Sequence, residues 1–345
     1  MISYGRQYLD RSDINSVLKS LKNNLITQGP EIQKFENSLK NKFGSKFCCV
    51  VSSGTAALHL SGNALGWKKN DVILTSPIGF LASPNSAIYN GAKPDFVDID
   101  LKTYNIDPKK IIKKIQKYKK LKKKIKAIIA VDYGGFPCDW KALKKISKKY
   151  KIQLVNDNCH AIGAKFYGDI KYACKYADVV THSYHPVKSI TTGEGGSVLT
   201  NNKKIYEKIK LLRSHGILKN FSKTKLKKTP WLYEMSTLGY NYRITDFQCA
   251  LGTSQLKKLE KFIIRRNKIA SIYDSAFKNI NGFITPPKRK KIRNAYHLYP
   301  LLIDFKKMKI SKFNFFNKLK ERNIHLQVHY TPMHTQPFYK KKIWI

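Results

Sequence analysis

Short apolar runs alternate with helical patterns through the first two-thirds of the chain, and this alternation limits the fold more than any other feature. Strand-like runs lie at Phe47–Val51, Asp71–Thr75, Pro94–Val97, Ala127–Val131, Ile152–Val155, Val179–Ser183 and Ser197–Thr200. Between several of them the apolar spacing is helical. Pro30 opens one helix, with Ile32, Phe35, Leu39 and Phe43 on one face and Gly44 closing it. Ala56, Ala57, Leu58, Leu60 and Leu65 mark another. The pattern predicts an α/β fold whose mostly parallel central sheet is flanked by helices on both faces. Ligands of such sheets bind at the carboxyl ends of the strands.

Near residue 245 the character changes. Leu256, Leu259, Phe262, Ile263 and residues 269–277 predict a long helix. A basic loop follows, Pro286 to Arg293, then expected strands at His297–Ile303 and Ile324–Tyr330. The division read from this is a large domain over 1–245 and a smaller α+β domain over 246–345.

The formal net charge of +44 raises the question of nucleic acid. Yet only 9 of the 66 basic residues are arginine, the residue favoured for bidentate phosphate and base recognition. The densest run, Lys109 to Lys126, interleaves lysines with Ile111, Ile112, Ile115 and Tyr118. That spacing predicts an amphipathic helix with a solvated basic face. No nucleic-acid partner is expected, although a positive field would attract a small anionic ligand. No window approaches ~18 uninterrupted apolar residues, so no membrane insertion is expected. The N-terminus is unlike a signal peptide, and the default expectation is the cytoplasm. The six cysteines form no Cys-x-x-Cys pair and read as free thiols. A zinc site from Cys159, His160, His182 and His185 fits no familiar frame, and no metal is expected.

Ser183-Tyr184-His185-Pro186-Val187-Lys188, followed by Thr191-Thr192-Gly193-Glu194-Gly195-Gly196, carries the chemistry. A lysine amine just past an apolar strand can condense with a carbonyl, including the aldehyde of pyridoxal phosphate. That cofactor also needs an acid beside its ring nitrogen and donors around its phosphate. Asp157 ends the run at 152–155 and is a candidate for the acid; alone it would equally suit a helix N-cap. Ser52-Ser53-Gly54-Thr55-Ala56 links a strand to a helix, where free N–H groups bind phosphate. Ser183 offers a hydroxyl to the same phosphate. Phe80 could stack on the ring or join the core, and His160 could touch the ring or serve structure only.

Read together, these segments resemble the DegT/StrS-type sugar-nucleotide aminotransferases, from Tyr4 to about Tyr339. The resemblance is carried by Tyr4-Gly5-Arg6-Gln7, Thr27-Gln28-Gly29-Pro30 with Phe35-Glu36, and Ser53-Gly54-Thr55-Ala56-Ala57-Leu58. It continues through Asp157 to His160, the Lys188 segment, Gly195-Gly196 and Arg213-Ser214-His215-Gly216. Gly239-Tyr240-Asn241-Tyr242-Arg243 with Asp246 and Gln248, and Gln327-Val328-His329-Tyr330, complete it. Val131-Asp132-Tyr133-Gly134-Gly135, with His185-Pro186-Val187-Lys188, looks most like the branch that makes the pseudaminic acid precursor.

The resemblance implies the aspartate-aminotransferase-like fold (fold type I) and pyridoxal 5'-phosphate as cofactor. It implies transfer of the amino group of glutamate to C4 of a UDP-linked 4-keto-6-deoxy-N-acetylhexosamine. Lys188 would bind the cofactor covalently, Asp157 would pair with the ring nitrogen, His160 would sit near the ring oxygen and Phe80 would stack. Gly54, Thr55, Ala56 and Ser183 would hold the phosphate. Asn241 would reach the phosphate in the neighbouring subunit of a homodimer. Thr27, Gln28, His185, His329 and Tyr330 would face the substrate. Asn156 departs from a usual glutamate, and Asn158 and Cys159 from small residues. The chain stops at Ile345 where relatives continue, so an incomplete small domain is expected. Rival readings are the same chemistry on a dTDP-hexose, a legionaminic acid precursor or a lipopolysaccharide precursor, and a basic non-catalytic regulatory protein. A sugar dehydratase of this fold carries histidine in place of the lysine, and Lys188 argues against it.

Overall fold

Residues alternate between two apolar layers along each central strand, because successive side chains point to opposite faces. In the computed structural model, which describes residues 5–218 and 231–343, strand β1 spans Phe47–Val51, β2 Val72–Thr75 and β3 Lys93–Phe96. Strand β4 spans Ile125–Val131, β5 Gln153–Asp157, the short β6 Lys165–Phe166, β7 Val179–Ser183 and β8 Gly196–Thr200. All but β6 form one sheet in the order β1-β8-β7-β5-β4-β2-β3. Strand β8 is antiparallel to β1 and β7, and the other pairings are parallel. In β4, Ile128 and Ala130 join one core layer while Ala127 and Ile129 join the other. Strands buried on both faces explain the continuous Val/Ile runs.

Helix α1 spans Arg11–Leu21, α2 Pro30–Phe43, α3 Gly54–Ala64, α4 Ala82–Tyr89 and α5 Pro108–Lys120. Helix α6 spans Trp140–Tyr150, α7 Tyr172–Tyr176, α8 Lys203–Leu212 and α9 Asp246–Phe277. One layer takes side chains from α2, α5, α6 and the first half of α9, through Phe35, Ile111, Trp140 and Leu259. The opposite layer takes them from α3, α4 and α8, through Leu58, Ala87 and Ile209. The mostly parallel, doubly covered sheet is the one the sequence pattern predicts.

The basic helix is shorter than expected. Helix α5 ends at Lys120, and Ile125 already opens β4. Ile111 and Ile115 are buried, and the lysine run after residue 121 turns through Lys122 at φ 52° instead of continuing the helix.

Helix α9 starts where the sequence changes character. Thr245 caps it, and Asp246 accepts from the backbone N–H of Gly29 at 2.7 Å and of Glu31 at 2.9 Å. Its buried face packs on α1, where Ser254, Gln255 and Lys258 all reach Asp13. Farther on, two expected strands are corrected. Within 297–303 only Leu302–Ile303 is strand, paired with Phe283–Ile284. Pro300 has no N–H to give a ladder, and the backbone before it bonds to the loop after β4. No strand lies within 324–330, where His329 and Tyr330 are drawn to the sheet's carboxyl edge instead. No helix among the described residues is long and apolar enough to cross a membrane.

Candidate active site

Parallel pairing brings the candidate residues together. Asp157, last in β5, is level with Val131 at the end of β4 and with Thr181 in β7. Ser183 closes β7, opposite Gly196. The carboxyl ends of β4, β5 and β7 therefore present Asp157, Ser183 and, after a short turn, Lys188 along one edge of the sheet. That turn is held by the Lys188 N–H donating to the His185 carbonyl at 2.9 Å.

Asp157 is buried and doubly engaged. Ser83 Oγ donates to its Oδ2 at 2.5 Å, and the Cys159 N–H donates to its Oδ1 at 3.3 Å. Three residues on, His160 is buried with Nε2 3.3 Å from the Tyr330 hydroxyl. Its Nδ1 has no hydrogen-bond partner among the described residues. The Tyr133 hydroxyl donates to the His329 carbonyl and fixes that loop over the site. Phe80 is 57% exposed, its ring 6.3 Å from that of Tyr330. It is thus no core residue, and an exposed ring at this edge is free to stack on a ligand.

Lys188 lies among these groups. Its Nζ is 3.5 Å from His297 Nε2, and the His297 ring packs on that of His160 at 4.4 Å between centroids. Burial pushes the Lys188 amine below an ordinary lysine's value, against an opposite pull from Cys159 and Asp157. Burial, the largest cause, holds His160, His297 and His329 below the usual histidine value. The site therefore offers a lysine amine shifted toward its neutral form, in one cluster with a carboxylate.

A cofactor's phosphate would meet the start of α3. Ser53 caps this helix by accepting from the Ala56 N–H at 3.0 Å, so Ala56 already has a partner. Gly54 is required by contact. A Cβ there would stand 2.8 Å from Ser183 Cβ, 3.3 Å from Ser183 Oγ and 3.4 Å from Cys159 Sγ. Thr55 follows in the first turn of the same helix. A glycine-lined helix start beside a strand-end hydroxyl, an unpaired buried imidazole nitrogen, a carboxylate and a lysine amine suit pyridoxal phosphate.

The remaining candidates are less closely gathered. Thr27 bridges to Thr245, and both Thr27 and Gln28 are exposed beside the start of α9. His185 is exposed. Asn241 is exposed and bridges to Ser214, with no hydrogen bond to the Lys188 cluster among the described residues. Tyr4 lies outside the described residues.

Three participants are absent from the sequence-based site: Ser83, His297 and Asp132. Asp132 is fully buried after β4. Its Oδ2 accepts from Tyr172 at 2.7 Å, Asn158 at 3.0 Å and Asn156 at 3.3 Å, and its Oδ1 from the Cys138 N–H at 2.7 Å and Trp140 Nε1 at 3.0 Å. Asn156 and Asn158, two of the departures from the family pattern, thus share one carboxylate. The resemblance quotes Asp132 within a motif but assigns it no role, and Ser83 and His297 carry no local signal.

Comparison with known proteins gives a consistent result. Residues 7–343 match the model of the DegT/DnrJ/EryC1/StrS aminotransferase family. The chain is 41% identical over 341 residues to the UDP-4-amino-4,6-dideoxy-N-acetyl-beta-L-altrosamine transaminase of Campylobacter jejuni subsp. jejuni serotype O:23/36 (strain 81-176), covering 99% of this chain and 86% of that one. Among solved structures, Helicobacter pylori PseC, an aminotransferase involved in the biosynthesis of pseudoaminic acid, matches with a TM-score of 0.89 at 32% identity, covering 99% of this chain and 88% of PseC. The Streptococcus pneumoniae protein Spr1654 in its PMP form matches with a TM-score of 0.88 at 26% identity, over 99% of this chain and 88% of that one.

Proposed function

The chain belongs to the DegT/DnrJ/EryC1/StrS aminotransferase family, and on that premise we propose that it moves the amino group of glutamate to C4 of a UDP-linked 4-keto-6-deoxy-N-acetylhexosamine. The product class is the precursor of pseudaminic acid or a related surface glycan. The observation that carries this reading is the Lys188 amine gathered with the Asp157 carboxylate at the sheet's carboxyl edge, in a chain similar throughout to a transaminase of that substrate class.

Pyridoxal phosphate, when bound, supplies an aldehyde that takes up an amino group and a ring that accepts electrons released at the donor's α-carbon. Lys188 would hold it, Asp157 would pair with its ring nitrogen, and His160 would lie near its oxygen. Gly54, Thr55 and Ser183 would hold its phosphate, with Ala56 joining them only if its N–H left the Ser53 cap, and Phe80 would cover its face. As the positioned base, Lys188 Nζ takes the proton from the α-carbon of glutamate and later delivers one to C4 of the sugar. A neutral lysine is needed for the first act, and burial shifts its pKa in that direction. His329 and Tyr330 orient the sugar beside Lys188, with Thr27, Gln28 and His185 at its outer parts. Held in this order, the groups gain the rate advantage of a single encounter.

The active unit in this reading is a homodimer, with Asn241 reaching the neighbouring subunit's phosphate. Its exposure, and that of Trp231, Tyr233, Met235 and Leu238 nearby in sequence, supports a covered interface. In the same reading the small domain is taken as 246–345, with the first half of α9 packed into the large domain's core, and the reaction is cytoplasmic.

The test is incubation of the purified protein, glutamate and the UDP-linked 4-keto sugar, with mass analysis of the sugar. Replacement of the keto oxygen by an amino group is expected. Amination of only a dTDP- or GDP-linked keto sugar would refute the substrate, and no amination of any keto sugar would refute the activity.

A further inference from the structure

The mechanism above makes no use of His297. This residue comes to the site through its backbone. The Ala295 N–H donates to the Gly135 carbonyl at 3.0 Å and the Leu298 N–H to the Gly134 carbonyl at 3.1 Å. Gly135, at φ 105°, permits the approach, since a Cβ there would stand 2.7 Å from Asn294 Oδ1 and from the Tyr296 nitrogen. Arg266 Nη1 donates to the Tyr296 carbonyl at 2.9 Å and locks the segment from the other side. The His297 ring is left 8% exposed against His160, with Nε2 toward Lys188.

The two ring nitrogens have different surroundings. Nδ1 has no hydrogen-bond partner among the described residues. A neutral imidazole carries one N–H. Placed on Nδ1, it would be a buried donor with no acceptor, which folded proteins rarely tolerate. Placed on Nε2, it faces Lys188 Nζ at 3.5 Å. An ammonium cannot accept that hydrogen bond, whereas a neutral amine has a lone pair for it. Protonation of the whole ring is opposed by burial, whether or not Lys188 carries a proton.

We propose that His297 is a positioning residue for Lys188: braced on His160, it donates from Nε2 to the lysine amine and holds it where the cofactor's aldehyde is captured. In that capture the amine nitrogen bonds to the aldehyde carbon, and the aldehyde oxygen leaves as water. The proposal rests on the reading of Lys188 as the cofactor's lysine. It adds that this amine is aimed by a side chain from beyond α9.

The test uses cofactor-free full-length protein, with neither glutamate nor sugar present, so failure of the sugar assignment leaves it untouched. The rate of pyridoxal phosphate capture is followed by absorbance in the wild type, His297→Phe and His297→Gln. Phenylalanine keeps the ring packing and removes the donor, and capture is expected to slow about tenfold, the scale of one lost hydrogen bond. Glutamine restores an N–H and is expected to recover most of the rate. Wild-type capture by His297→Phe, or a His297→Gln protein as slow as His297→Phe, would overturn the proposal. Nitrogen-15 histidine spectra decide the matter even if the phenylalanine variant does not fold. They should show the His297 proton on Nε2, with a signal that shifts in Lys188→Met. A proton on Nδ1, or a signal blind to Lys188→Met, overturns it.

Discussion

Ser83 Oγ lies 2.5 Å from Asp157 Oδ2, a buried hydroxyl–carboxylate bond that joins α4 to the end of β5. It fixes the carboxylate assigned to the cofactor's ring nitrogen, from a residue outside the family motifs quoted above. Hydrogen bonds to charged groups contribute about 1.5–3 kcal/mol. Ser83→Ala is therefore expected to weaken pyridoxal phosphate binding by roughly ten- to a hundredfold, read by absorbance titration. Unchanged affinity would mean that Asp157 holds its place without Ser83.

Glu36 and Arg213 form a largely buried ion pair at 3.2 Å. Both also bind the Val50 backbone, Glu36 through the N–H at 3.0 Å and Arg213 through the carbonyl at 2.8 Å. Removing the arginine leaves a buried carboxylate without its counter-charge, at a cost of about 3–5 kcal/mol. Arg213→Ala should lower the urea midpoint accordingly, and the Glu36→Gln, Arg213→Ala double variant should lose less than the single one. Equal losses would show that the charge is not what matters.

These relations show how far the sequence can be read. Lys188 and Asp157 are legible because each follows the end of an apolar run, so a local pattern carries their position in a parallel sheet. Phe35-Glu36 and Arg213 are legible as motifs, yet their mutual contact is not, since it spans 177 residues. His297 is hidden because it opens the run His297–Ile303, which reads as a strand, while backbone bonds to Gly134 and Gly135 determine its place. Asn156 and Asn158 look like departures until Asp132 is seen between them.

Stability should fall in acid. Burial pushes His182 from the ordinary 6.5 down to about 3, packed edge-on to Phe43 with ring centroids 4.8 Å apart. Below pH 6.5 the unfolded chain takes up a proton that folded His182 refuses until about pH 3. This contribution is complete above pH 6.5 and is lost progressively as the pH falls toward 3. His59, His160, His297 and His329 are lowered in the same direction and add to it. A lower urea midpoint at pH 5 than at pH 7.5 is expected, with a smaller difference in His182→Phe. Equal midpoints in the wild type would contradict the burial argument.

Gly54→Ala puts a methyl group 2.8 Å from Ser183 Cβ, at a strand end that cannot swing aside. Overpacking of this kind costs about 1–3 kcal/mol. The variant should melt lower and bind pyridoxal phosphate more weakly, by calorimetry and absorbance titration respectively. Wild-type affinity would remove Gly54 from the phosphate site.

The central assignment is the lysine. The protein loaded with pyridoxal phosphate is reduced with borohydride, digested and mapped by mass spectrometry. A single pyridoxyl group on Lys188 is the expected result, absent from Lys188→Ala. A pyridoxyl group on any other lysine, with Lys188 unmodified, would contradict the account.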